Sequence, residues 1–223
     1  MKTNAKKNLF IGITLILSFV IWTILVMTVD VQPIGLKGTG VGFATVNSAL
    51  HKLTGSNMLL YNITDWAGLV PLFVCFAFAG VGLWQLIKRK NLFKVDADIL
   101  ILGIYYILVI TAYLVFEMIP INYRPIFING SMEVSYPSST TLLVLSVMPT
   151  LDFQAEKIDN KNIRRVIKIL SVLFSVFMVM GRLISGVHWL SDIIGSVLIS
   201  FGLFYTYKGS VFAVWNLRKN CRN

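Results

Sequence analysis

The chain alternates between long apolar segments and short segments that carry most of its charge. Each of three uncharged runs, residues 9–29, 66–87 and 99–116, is long enough to cross a hydrocarbon core of about 30 Å as a helix. Three further apolar segments with polar residues at their ends extend this pattern into the C-terminal half. They are residues 139–151, 166–181 and 188–207. The pattern predicts an all-α, polytopic membrane protein with six transmembrane helices in a single domain, residues 1–223.

Composition supports this interpretation. Residues of the AVILMFWYC set make up 56% of the chain and charged residues 13%, about half of the roughly 25% that is usual in soluble domains. A soluble enzyme, a disordered chain and a nucleic-acid-binding domain are therefore excluded, although a net charge of +10 in a soluble protein would indicate nucleic acid. The alternating pattern of an outer-membrane barrel is not seen. We expect membrane lipids as surroundings and no nucleic-acid partner.

The basic residues predict the orientation in the membrane. If the N-terminus is cytoplasmic, only four of the 20 lysines and arginines fall outside: Lys37, Lys52, Arg124 and Arg182. Cytoplasmic segments are enriched in Lys and Arg, so we expect a multi-pass protein of the cell membrane, of bacterial origin, with both termini in the cytoplasm. The polar ends of the C-terminal segments then lie at the outer face.

The long segment after the first span predicts an additional short helix. Apolar residues recur there at helical spacing, which is typical of an amphipathic helix lying on the outer leaflet. They are Phe43, Val46, Leu50 and Leu53. His51 lies among them, and we expect its side chain to be solvated.

A cluster of polar residues at the predicted outer face indicates chemistry. His188 and Asp192 are four residues apart, so on a helix they would share a face, and a carboxylate that holds one ring nitrogen leaves the other free to attack or to accept a proton. Arg182 adds donors suited to phosphate, and Arg124 stands before Pro125. Each residue alone is typical of an interface anchor. Their clustering at span ends favours a functional site.

Three stretches resemble the signatures of the type 2 phosphatidic acid phosphatase superfamily, which shares its fold with vanadium haloperoxidases. The residues Arg-x5-His-x3-Asp at 182–192 are similar to the third signature. Arg-Pro at 124–125 resembles the end of the first signature, Lys-x6-Arg-Pro, and Tyr-Pro-Ser-Ser-Thr at 136–140 resembles the second, Pro-Ser-Gly-His or Pro-Ser-Ser-His. Their order and spacing match the family, as do the six spans.

The resemblance implies a role for each matching residue. His188 would attack phosphorus and Asp192 would orient it, without a metal or a cofactor. Four residues would hold the phosphoryl oxygens, two of them at the start of the fourth span, where a helix N-terminus favours an anion. They are Arg124, Arg182, Ser138 and Ser139.

Three positions depart from the family pattern. Glu117 stands where the first signature has lysine, Thr140 where the second has histidine, and Gly181 where the third commonly has serine. The family histidine protonates the leaving oxygen, which is typically worth roughly 10²–10⁴ in rate, and a threonine hydroxyl does not titrate near neutral pH. A carboxylate at position 117 repels a phosphate dianion unless it is protonated or paired with an arginine.

Two interpretations of these departures remain open. The first is an integral membrane lipid phosphatase or diphosphatase that works at the outer face through a phosphohistidine. It would favour a diphosphate such as a polyprenyl diphosphate over other lipid phosphates, because a departing lipid monophosphate hardly needs a proton. The second is a catalytically impaired relative that binds lipid phosphates without turnover. A small transporter is disfavoured, because the spans lack charged residues near mid-membrane. No obligatory protein partner is indicated.

Overall fold

The computed structural model describes residues 5–220, so residues 1–4 and 221–223 of the predicted domain lie outside the description. Within the described range the fold is all-helical, with isolated β-bridges but no β-strand. Two short 3-10 turns, Leu36–Gly38 and Leu92–Lys94, accompany the α-helices. The α-helices are α1 Ala5–Thr28, α2 Ala44–Thr54, α3 Met58–Ala67, α4 Leu69–Arg89, α5 Ala97–Met118, α6 Ser139–Ala155, α7 Lys161–Ile184 and α8 Leu190–Asn220.

The predicted all-α multi-pass fold is confirmed. Five helical stretches of the described chain are long and apolar enough to cross a membrane. They are α1, the continuous stretch formed by α3 and α4, α5, α7 and α8. The remaining predicted span corresponds to α6, which has 17 residues and packs against α4, α5, α7 and α8. This helix is largely enclosed by its neighbours, and the six predicted spans are consistent with the five long stretches plus α6.

The last span differs from its predicted bounds. We expected residues 188–207, whereas α8 begins at Leu190 and continues to Asn220. The start is fixed by Asp192, whose Oδ2 accepts a hydrogen bond from the backbone N–H of Trp189 at 2.9 Å. The first N–H groups of a helix lack backbone acceptors, and a side chain in the first turn that accepts one of them stabilises the start of the helix at that position. His188 therefore lies before α8.

Close backbone contact joins the first and last helices. A Cβ atom added at Gly12 of α1 would lie 2.7 Å from the backbone nitrogen of Thr206 on α8, and one at Gly202 would lie 3.1 Å from the backbone nitrogen of Ile16. Small residues allow helices to approach this closely within a membrane. The contact attaches α1 to the helix whose N-terminal turn carries Asp192.

The segments that connect the helices bring the candidate residues to one end of the bundle. Ser185 O accepts a hydrogen bond from the Asn57 N–H at 2.9 Å, and Tyr123 O accepts one from Trp189 Nε1 at 2.8 Å. The segments before α3, after α5 and after α7 therefore meet. The segments after α4 and α6 lie at the other end, because consecutive spans cross the bundle in opposite directions.

The predicted amphipathic helix is confirmed as α2, with Val46 and Leu53 exposed. Its position on the outer leaflet stays a prediction. The expectation for His51 was wrong: its ring centroid lies 5.6 Å from that of Trp189, and its Nδ1 is buried. Partial burial lowers the pKa of His51, because desolvation disfavours the charged ring.

Candidate active site

His188 lies in the turn between α7 and α8, where the Ser135 backbone carbonyl holds its ring. Nδ1 is 3.1 Å from Ser135 O and 3.8 Å from Asp192 Oδ2. The second distance is longer than a hydrogen bond, so the carboxylate acts on the ring as a nearby charge. The expectation that His188 and Asp192 share a helical face was wrong, because only Asp192 belongs to the helix.

Asp192 is fully buried and has both carboxylate oxygens engaged. Oδ2 accepts from the Trp189 N–H, and Oδ1 accepts from Asn122 Nδ2 at 3.0 Å. A buried carboxylate is stabilised when donors satisfy its oxygens. Asn122 therefore fixes the anion that faces the histidine ring.

The second ring nitrogen of His188 is available for chemistry. A carbonyl oxygen only accepts, so the proton of the neutral ring lies on Nδ1 and Nε2 carries the lone pair. Nε2 is buried and has no hydrogen-bond partner among residues 5–220. Burial lowers the pKa of His188 to about 4, helped by the charges of Arg124 and Arg182 and opposed by Asp192. The imidazole is therefore neutral, and able to act as a nucleophile, at neutral pH.

Two buried arginines each pair through a single nitrogen. Arg182, which is 1% exposed, places Nη2 3.0 Å from Asp65 Oδ1, and the same nitrogen donates to Thr140 Oγ1. Arg124 places Nη2 3.1 Å from Glu133 Oε2. Each ion pair therefore engages only the Nη2 atom of its guanidinium group.

The remaining guanidinium nitrogens have no partner. Nε and Nη1 of Arg124 and of Arg182 are buried and form no hydrogen bond within the described chain. Both guanidinium groups lie over the ring of Tyr61, at 5.7 and 5.0 Å from its centroid. Buried donors without acceptors are costly, and guanidinium groups match phosphate oxygens. Donors arranged in this way beside His188 could hold the oxygens of an anion.

Comparison with known proteins identifies the family. A family model described as the PAP2 superfamily matches residues 71–216. The chain belongs to the PAP2 superfamily. PAP2 phosphatases are phosphoric ester hydrolases, so membership supports an enzyme of that class.

A solved structure has the same fold. The crystal structure of the first transmembrane PAP2 type phosphatidylglycerolphosphate phosphatase from Bacillus subtilis superposes with a TM-score of 0.64 at 18% sequence identity. The match covers 89% of this chain and 94% of that one. No curated protein matches the chain in sequence. The structural likeness supports a multi-pass membrane PAP2 fold.

The second PAP2 signature places one of its two serines at the site. Ser138 is buried before α6, its hydroxyl donates to Thr141 Oγ1 at 3.0 Å, and its carbonyl accepts from Ser196. Its side chain is therefore engaged in packing the start of α6. Ser139 is partly buried and lines the cavity beside Arg124.

The two main departures from the PAP2 signatures lie on different sides of the site. Thr140 contacts Arg182, as described above. Glu117 is exposed at the end of α5 and forms no ion pair within residues 5–220. With Glu133 and Arg124 it lines a cavity of about 220 Å³. Glu117 and Arg124 therefore line the same cavity without forming an ion pair within residues 5–220.

A larger cavity of about 460 Å³ begins at the site and continues between α4, α5 and α6. Its polar end is lined by Asp65, Ser139 and Thr140. Its remaining walls are mostly aliphatic. They include Leu69, Leu72, Val109, Ile110 and Leu143. A groove with a polar end and apolar walls has the character of a site for a lipid.

Sequence reasoning missed four side chains that build the site. Asp65 and Tyr61 lie on α3, Asn122 lies after α5, and Glu133 lies in the segment before α6. None belongs to a spaced motif. Their acidic, amide or aromatic character at the predicted outer face was the only available signal, and many other residues share it.

Proposed function

We propose that this PAP2 protein is an integral membrane lipid phosphatase or diphosphatase that works through a phosphohistidine on His188. The observation that carries the proposal is the buried lone pair of His188 Nε2 next to two buried arginines that each have two unpartnered nitrogens. An attacking nitrogen and preorganised cationic donors are what phosphoryl transfer requires.

In the first step Nε2 attacks phosphorus and the bond from phosphorus to the leaving oxygen breaks. The free nitrogens of Arg124 and Arg182 hold the phosphoryl oxygens, on which negative charge is concentrated. The ring becomes cationic as it is phosphorylated. Its Nδ1–H faces the Ser135 carbonyl, and the Asp192 charge lies 3.8 Å away, so both stabilise the intermediate.

The groove and position 140 support a lipid diphosphate as the preferred substrate. The aliphatic walls beyond Asp65 and Ser139 accommodate a hydrocarbon chain. Thr140 offers no proton to a leaving alkoxide, but a lipid monophosphate departs as a stable anion without one. Polyprenyl diphosphates and lipid monophosphates, including phosphatidylglycerolphosphate, are the substrates to compare.

A second candidate function is lipid-phosphate binding without turnover. Glu117 favours it, because an exposed carboxylate on the same cavity as Arg124 weakens the attraction for a phosphate dianion.

Phosphate release from a panel of lipid mono- and diphosphates tests the proposal. We expect release by the native protein, and a loss of roughly 10³-fold or more in His188→Ala, which removes the nucleophile. His51→Ala is the matched control, since it removes the other histidine of the chain, and it should retain activity. Binding without release, by a folded native protein, would establish the second candidate instead.

A further inference from the structure

Hydrolysis of a phosphohistidine needs a base that position 140 does not supply. Water must attack phosphorus in the second step, and removal of its proton by a positioned group typically accelerates such a step roughly 10²–10⁴-fold. A lipid diphosphate makes a proton donor dispensable in the first step only. The Thr140 hydroxyl is not a useful base at neutral pH.

Asp65 brings a carboxylate next to Thr140. The same nitrogen, Nη2 of Arg182, lies 3.0 Å from Asp65 Oδ1 and donates to Thr140 Oγ1. Two oxygens that bind one nitrogen are themselves close together. Asp65 and Thr140 also line the polar end of the same cavity. The carboxylate therefore lies beside the position at which the PAP2 signature has its histidine.

Asp65 is also at the boundary between the buried site and solvent. Its side chain is 54% exposed, whereas that of Arg182 is 1% exposed. Oδ1 contacts Arg182, and Oδ2 has no hydrogen-bond partner within residues 5–220. It is therefore available to take a proton from a water molecule and to return that proton to solvent.

The other carboxylates near the site are less suitable. Asp192 is fully buried, with both oxygens engaged by Trp189 and Asn122. Glu117 and Glu133 line the smaller cavity on the Arg124 side, which does not include Thr140.

We propose that Asp65 is the general base for hydrolysis of the phosphohistidine, an inference that rests on the proposed function. The oxygen of a water molecule bonds to phosphorus while the bond between phosphorus and His188 Nε2 breaks. The electron pair of that bond returns to the ring, and the proton of the water passes to Asp65. Inorganic phosphate leaves, and Asp65 releases its proton to solvent. Arg182 holds both the phosphoryl group and the base.

The test separates the two steps in the purified full-length protein, using a lipid diphosphate labelled in its terminal phosphate. In Asp65→Asn we expect a burst of lipid monophosphate equal to the enzyme present, steady-state phosphate release reduced by roughly 10²-fold, and accumulation of labelled phosphohistidine. The amide oxygen still accepts from Arg182, so the geometry is retained. Asp65→Glu keeps the carboxylate and should retain measurable turnover without accumulation.

Glu133→Gln is the matched control, because it alters the ion pair of the other arginine; it should change KM without trapping phosphohistidine. Equal loss of burst and steady state in Asp65→Asn, or unchanged kcat, would overturn the assignment of Asp65 while leaving the proposed function intact. Turnover by the native protein with no phosphate ever bound to His188 would instead refute the proposed function, and this inference with it.

Discussion

The Ser135 carbonyl lies closer to the His188 ring than the Asp192 carboxylate does, and this contact determines which ring nitrogen keeps its lone pair. Nδ1 faces the carbonyl at 3.1 Å and the Asp192 carboxylate at 3.8 Å. A fixed backbone acceptor sets the tautomer without needing a charge. The carboxylate, which Asn122 and Trp189 fix in place, is then free to stabilise positive charge as it develops. Orientation and charge stabilisation thus come from different groups.

The lowered pKa of His188 predicts the acid side of the pH profile. The ring is neutral above about pH 4 in the folded protein, and only the neutral ring attacks. We expect kcat/KM to fall on acidification through about pH 4, and not through the usual histidine value near 6.5. The pH dependence of kcat/KM should be measured with two substrates whose phosphate groups have different pKa values. An acid limb found at the same pH with both substrates reports a group of the enzyme and not of the substrate. An enzyme limb near pH 6.5 would contradict a buried neutral ring.

The same shift affects stability with a defined sign. Below about pH 6.5 the unfolded chain binds a proton at His188, and the folded chain does not until about pH 4. The contribution of His188 to the free energy of unfolding is therefore fully present above about pH 6.5. It is lost progressively as the pH falls from about 6.5 to about 4.

Thr140 predicts how substrate preference responds to substitution. Thr140→His restores a group able to protonate the leaving oxygen. We expect it to raise kcat/KM for a lipid monophosphate more than for the matched diphosphate, since only the alkoxide depends strongly on protonation.

The gain from Thr140→His is expected to remain small unless Glu117→Lys is added, because that change restores attraction for phosphate at the arginine cavity. The two positions serve one site, so their effects should not be additive. Equal gains on both substrates, in the single and double variants, would refute the argument from the leaving group.

At the scale of helices, the sequence predicted the presence of the helices better than the residues at which they begin and end. Uncharged runs revealed the long spans, because their length is dictated by the membrane, and Ser139 was correctly predicted as the start of a helix. The start of α8 was misplaced because Asp192 caps the helix and is not held on one face with His188. A carboxylate four residues after a histidine can cap the following helix and still lie near the histidine ring, so spacing alone does not show where the helix begins.

Packing of α1 against α8 makes a prediction about stability. In Gly12→Ala the added Cβ would lie 2.7 Å from the Thr206 nitrogen and 2.9 Å from the Gly202 carbonyl oxygen, so the helices must separate. Overpacking of this kind costs about 1–3 kcal/mol, and we expect the free energy of unfolding in mixed micelles to fall by that amount.

Gly80→Ala is the matched control for this contact. It introduces the same methyl group within α4, where nothing lies within 4 Å of the new Cβ. Alanine is the better helix former, so stability should be unchanged or slightly higher. A similar loss in both variants would show that close packing of α1 on α8 is not the cause.

At the scale of the whole molecule, the site is completed by residues far apart in the sequence. Asp65 and Arg182 are 117 positions apart, and Asn122 and Asp192 are 70 apart. Three signatures identified the histidine, the aspartate and the arginines because their spacing is local. The partners of those residues lie on other elements, and the Asp65–Arg182 pair depends on how α3 packs against α7, which no local pattern encodes. The family was therefore predictable, as were the central residues of the candidate site, whereas the residues that surround them were not.

Orientation in the membrane is the remaining whole-molecule prediction. The segments that build the site lie at one end of the bundle, and all but four of the basic residues lie in the segments assigned to the cytoplasm. We therefore expect the site to face outward, with both termini inside. Introduced cysteines test this in a chain whose native Cys75 and Cys221 are replaced.

Ser131 and Asp159 are suitable positions for the introduced thiols, since both are exposed and lie at opposite ends of the bundle. Gly130 is less suitable because its φ of +78° favours glycine, and Asn160 because its side chain caps α7. A membrane-impermeant thiol reagent added to intact cells should label Ser131→Cys and leave Asp159→Cys unlabelled until the membrane is permeabilised. The reverse pattern would place the site at the cytoplasmic face, where it would act on lipid phosphates of the inner leaflet, and would show that the charge bias does not determine the orientation of this protein.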